Sequence, residues 1–109
     1  MISDEKLAKI FSIAEKDEAS FCLQIATDLT VRARSLYSLD GGEMAPFCRA
    51  FNELMHLTVN QSLNATRGSN RYQLKDFLRI LVRTADKSGV GSAIEASLDI
   101  FLARSTRNG

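Results

Sequence analysis

At 109 residues, 45% hydrophobic and 25% charged, the chain has single-domain length and ordinary globular composition, which excludes a disordered or fibrous polypeptide. Fourteen Lys and Arg against 13 Asp and Glu leave a formal net charge of +1, excluding strong whole-molecule attraction to nucleic acid or an anionic membrane. The opening MISDEKLAKIF has too short an apolar run for a signal peptide, and no stretch approaches the roughly 18 apolar residues of a membrane span. A cytoplasmic chain without membrane contact is expected.

One proline, no strand-like alternation and regularly placed turn signals predict an all-α fold: a single-domain antiparallel bundle of four to five helices over residues 1–109. The first helix starts with Ser3 as N-cap, with Asp4 and Glu5 opposing the helix dipole and Ile2 and Leu7 spaced as a hydrophobic staple. Leu7, Ile10, Phe11 and Ala14 form its buried stripe. The polar run EKDEAS leads into a second helix, from about Ala19 to Ser38. Cys22, Ile25, Ala26, Leu29, Ala33, Leu36 and Tyr37 share its inner face, and Gln24, Thr27, Asp28, Arg34 and Ser35 its outer one. Gly41 or Gly42 is expected to stop it. The two cysteines, Cys22 and Cys48, form no CxxC unit and read as reduced, buried thiols.

The third helix begins near Ala45, with Pro46 in its first turn, and runs to about Thr66 before Gly68. Phe47, Ala50, Phe51, Leu54, Met55, Leu57, Thr58, Val59 and Ala65 fill a broad arc of its wheel, which predicts a central helix. Asn70 and Gln73 resemble a capping box for a fourth helix ending at Lys87 or Ser88, before Gly89. Ser92 with Glu95 predicts a second box, starting a fifth helix that ends near Arg104, with residues 105–109 as a frayed tail.

Three features carry functional expectations. On the third helix, Arg49, Asn52, Glu53, His56, Asn60, Asn64 and Arg67 line the strip opposite the apolar arc, with Leu63 intruding. The chain's only histidine lies in its middle. Glu53 and His56 have the Glu-x-x-His spacing of di-iron bundles, but no second such pair exists and both residues face away from the predicted core, so no metal or cofactor is expected. Arg49 and His56, with six residues between them, resemble the R-x(4–6)-H motif of HEPN-type helical ribonucleases. That resemblance implies Arg49 as phosphate-charge stabiliser and His56 as general acid or base. Ala50 follows the arginine where that family usually has a polar residue. The exposed histidine also superficially resembles a histidine phosphotransfer domain, but HLTVNQ lacks the lysine that family places after it. Asn is a mediocre helix former, and exposed helix faces favour Lys and Glu. The amides Asn52, Asn60 and Asn64 beside His56 therefore predict a polar contact surface.

The second feature is the basic stripe Arg71, Lys75, Arg79, Arg83 and Lys87, spaced at i, i+4. It flanks an apolar face of Leu74, Phe77, Leu78, Leu81, Val82 and Ala85. Residues 67–109 carry eight bases and four acids, and residues 1–66 six bases and nine acids. The stripe suits phosphates or an acidic partner. The competing expectation is neutralisation within the fold, by Asp76 and Asp86 at i+3 spacing and by neighbouring acidic helices. The third feature is the fifth helix, apolar on two sides: Ile94, Leu98, Phe101 and Leu102 on one, Ala96, Ile100 and Ala103 on another. That pattern fits a subunit interface, for which a twofold homodimer is the commonest form. The sequence thus predicts a non-catalytic protein-interaction bundle, acting with itself or another protein. A nucleic-acid-binding regulator is the first alternative and a ribonuclease using Arg49 and His56 the second.

Overall fold

Helix α1 (Asp4–Ala14) starts as its sequence dictates. Ser3 is extended (φ −73°, ψ 155°), and its side chain accepts from the Lys6 N–H at 3.2 Å. Ile2 is buried and Leu7 packs against the same core, so the staple forms. Ile10 and Ala14 are fully enclosed, with Phe11 beside them. The computed structural model describes residues 2–40, 45–68 and 72–108, and their side chains except at 37–40, 45, 107 and 108. The expected roles of the Tyr37 side chain, the Gly41/Gly42 stop, Asn70 and Arg71 lie outside the described residues.

Asp17 sets the joint between α1 and α2 (Glu18–Asp40). The Lys16 and Asp17 N–H groups close the end of α1 on Ile13 and Ala14 carbonyls, and Asp17 Oδ1 then accepts from the Ser20 N–H at 3.1 Å. The acid in EKDEAS is therefore a helix cap. Phe21, Cys22, Ile25, Ala26 and Leu29 are buried. Phe21 falls outside the expected inner face because α2 has neighbours on two sides. Its ring meets Phe101 edge-on, centroids 4.7 Å apart, across the seam with α5 (Gly91–Asn108).

Helix α3 (Ala45–Arg67) lies antiparallel to α2. Contacts run in reverse order along the pair: Cys48 Sγ–H donates to the Ala33 carbonyl, Met55 meets Thr30, Gln61 meets Glu18, and the Ser62 hydroxyl donates to the Ala19 carbonyl. Ala50, Phe51, Leu54 and Thr58 are buried along it. It is not the central helix its wheel suggested: it packs chiefly along α2, and its outer side is open. Gly68 ends it in the left-handed region (φ +69°), its N–H bonded to the Ala65 carbonyl.

Helix α4 (Leu74–Lys87) starts later than the Asn70 box predicts. Gln73 is itself the N-cap, extended at φ −69° and ψ 148°, and makes no side-chain cap bond. Gln73 thus lies ahead of the first turn rather than inside it, as the expected box would have placed it. Leu74, Phe77, Leu78, Leu81 and Ala85 are buried, on the predicted apolar face. At its end Gly89 (φ +78°) bonds the Asp86 carbonyl and Val90 the Ala85 carbonyl, a glycine cap that turns the chain directly into α5.

Helix α5 (Gly91–Asn108) differs from expectation at both ends. The Val90 carbonyl accepts from Ala93 and Ile94, so Ser92 lies inside the helix rather than capping it. Glu95 instead accepts from Lys6 Nζ at 3.2 Å. The helix continues past Arg104, and Ser105 and Thr106 hydroxyls bond the Phe101 and Leu102 carbonyls. The five helices form an all-α bundle around one core, with a Cα radius of gyration of 13.6 Å.

Candidate functional site

The α3 strip is open surface. Arg49, Asn52, Glu53, His56, Asn60 and Arg67 are exposed, Asn64 is half-buried, and Leu63 is 48% exposed among them. Among the described residues none of these side chains makes a hydrogen bond or ion pair. Arg49 and His56 share this face, as their spacing requires, but no carboxylate orients the imidazole and neither borders the grooves described below. Among the described residues no three His, Cys, Asp or Glu side chains gather as a metal-ligand group. The polar residues that do bind sit on the inner side of the same helix. Gln61, 3% exposed, donates through Nε2 to Glu18 Oε1 and the Tyr72 carbonyl, both at 2.9 Å. A hydrophobicity wheel assigns a glutamine outward, so only the neighbouring elements reveal this role.

On α4, Lys75, Arg79, Arg83 and Lys87 are all exposed, as are Asp76 and Asp86. The ion pairs among the described residues lie elsewhere: Lys6 with Glu95 and Asp99 across α1 and α5, and Arg32 with Asp28 along α2. The i+3 neutralisation expected of Asp76 and Asp86 does not form within ion-pair distance: all four residues are exposed, where such pairs gain little, and the Asp86 carboxylate lies over Gly91 at the start of α5. Arg71 lies outside the described residues.

A third surface joins α2 and α5. Leu23 and Val31 are each 58% exposed on α2, and Ile100 is 37% exposed on α5. Leu23 and Val31, with Thr27 between them, line an open depression of about 400 Å³ that Arg104 of α5 also borders. Ile100 lies one turn before Arg104, and Ala103 is exposed beside it. Beneath them, Asp28 Oδ2 accepts from both the buried Ser97 hydroxyl and Arg32 Nε, the latter at 2.7 Å, tying α2 to α5. The second apolar side of α5 is thus largely a surface feature. Leu23, Thr27 and Val31 at i+4 steps signal its α2 half, a pattern obscured by the polar residues around it.

Both cysteines are free thiols. Cys22 is buried on α2, and burial, with a smaller contribution from the negative charge of Glu18, pushes its thiol up to about 12. Cys48 is half-buried rather than fully enclosed, because it sits near the start of α3 at the edge of the α2 seam. Cys22 is expected to resist maleimide at pH 8 in the folded protein and to react fully once unfolded in guanidinium. Mass spectrometry of the labelled peptide checks this, and fast native labelling of Cys22 contradicts its enclosure.

No helix among the described residues is long and apolar enough to cross a membrane. No protein-family model, curated protein or solved structure matches the chain.

Proposed function

We propose that this is a small cytoplasmic interaction protein with no catalytic role, which pairs with a second copy through the α2/α5 surface. The observation that carries this reading is the exposure of Leu23, Val31 and Ile100 on two helices that pack together. Single exposed apolar residues are normal, but large ones on two helices that pack together favour association. A twofold axis over this surface would bring each apolar set onto its own copy. The wild-type chain is expected to sediment as a dimer at micromolar concentration. Leu23→Glu with Ile100→Glu should sediment as a monomer with unchanged helical circular dichroism, since both positions face water. A wild-type chain that stays monomeric at millimolar concentration removes the dimer from this reading.

A second reading is supported by the four α4 cations, which have no ion-pair partner among the described residues. Lys75, Arg79, Arg83 and Lys87 would neutralise nucleic-acid phosphates, and binding would then weaken steeply with salt. Arg79→Glu with Arg83→Glu is expected to abolish binding to a mixed RNA or DNA pool at low salt, measured by fluorescence anisotropy. Absence of any wild-type binding at low salt rejects the reading. The ribonuclease alternative retains only the shared face of Arg49 and His56.

A further inference from the structure

Helices α1 and α4 meet along a trough. At one end, Asp4, Leu7, Ala8 and Phe11 of α1 face Lys75, Leu78 and Arg79 of α4 around an open groove of about 300 Å³. A second depression shares Phe11 and Lys75 and continues to Glu15, Glu18, Gln73 and Leu74. The two α-helices are antiparallel here, because the trough pairs early α1 residues with later α4 residues. From Asp4 to Glu15 the trough follows α1 for about three turns, roughly 16 Å at the α-helical rise.

Its walls differ in chemistry. Half-buried Leu7 and Phe11 supply the apolar surface, fully buried Leu78 lies beneath them, and Ala8 leaves room above. The α4 lip carries Lys75 and Arg79, one turn apart, exposed and without an ion-pair partner among the described residues. The α1 side carries acids at the two ends, Asp4 and Glu15, and Glu18 beyond, which is held by Gln61. An elongated trough between two helices takes a third helix in preference to a compact ligand. Apolar walls do not suit a sugar–phosphate backbone, which needs polar contacts along its length.

We infer that the α1/α4 trough docks an amphipathic helix of a partner protein, with its apolar side on Leu7 and Phe11 and an acidic flank against Lys75 and Arg79. Asp4 and Glu15 repel acids from the α1 side, so the trough selects the side of the partner helix on which its acids lie. This site uses residues separate from the α2/α5 surface and does not depend on self-association.

The test is selection from a displayed library of helical peptides of about 15 residues, with a fixed apolar stripe and randomised flanking positions. Enriched peptides should carry Asp or Glu along one flank. Their affinity, read by fluorescence anisotropy, should fall roughly tenfold or more for Lys75→Glu with Arg79→Glu. Ala8→Arg, an exposed change that fills the trough, should block them to a similar degree. Both variants should keep the wild-type circular dichroism and sedimentation, so loss of peptide binding is distinguishable from failure of the dimer. The inference is overturned if no peptides are enriched, if the enriched peptides have basic or uncharged flanks, or if binding survives both variants. Competition by RNA for a site insensitive to Ala8→Arg also overturns it, in favour of phosphate binding on the outer stripe.

Discussion

Phe77→Ala should lower the unfolding free energy by about 3–5 kcal/mol, the range for emptying a buried aromatic site. Phe77 is fully enclosed on α4, in the cluster that also holds Leu81, Ile94 and Leu98. Helix α4 touches α1, α3 and α5, so a void there loosens three contacts at once. A domain of this size has roughly 5–15 kcal/mol in total, so the variant loses a large share of its margin. Its melting temperature should fall by roughly 10–20 °C. Phe77→Leu, which keeps most of the volume, should lose less than half as much. Equal losses from the two changes, measured by urea titration, would show that the site is not packed around the ring.

The second large effect is at Asp28. Its Oδ2 accepts from the Ser97 hydroxyl of α5 and from Arg32 of its own helix, and Ser97 is only 2% exposed. Asp28→Ala removes the acceptor from both donors and should destabilise the fold by about 1–3 kcal/mol, the range for a buried group losing its partner. Asp28→Asn keeps an acceptor oxygen and should recover much of that loss. Ser97→Ala should lose little when Asp28 is already alanine, because the two groups act as one unit. An Asp28→Ala variant within about 0.5 kcal/mol of wild type would place it among ordinary surface changes and sink the argument.

Local rules were legible in the sequence where they were also sufficient. The Ser3 cap, the Leu7–Ile10–Phe11–Ala14 stripe, Gly68, Gly89 and the α4 apolar face all appear where backbone chemistry and periodicity put them. Several of the misses share a physical cause, competition from a group outside the local pattern. Glu95 is drawn to Lys6, 89 positions away, while the Val90 carbonyl serves the first turn of α5. Gln61 turns inward because the Tyr72 carbonyl and Glu18 come within its reach. Phe21 is buried by α5, which no pattern within α2 announces. The candidate surfaces divided similarly. The exposure of the α4 cations and the α3 amides followed from their wheels, but the α1/α4 trough needed the packing of two elements.

The attachment of α1 has a consequence for the order in which the bundle assembles. Lys6 is bonded 89 positions along the chain, whereas Cys48 reaches Ala33 across only 15. Closing the longer loop costs roughly 1.5 kcal/mol more chain entropy, since each doubling of loop length adds about 0.6 kcal/mol. The α2/α3 hairpin and the glycine-capped α4/α5 hairpin can therefore form early and locally, while α1 must wait for its seat on α4 and α5 to exist. In the finished molecule the same helix is the one whose departure breaks the fewest local contacts. The trough on its flank thus lies along the seam at which the fold closes last and reopens first.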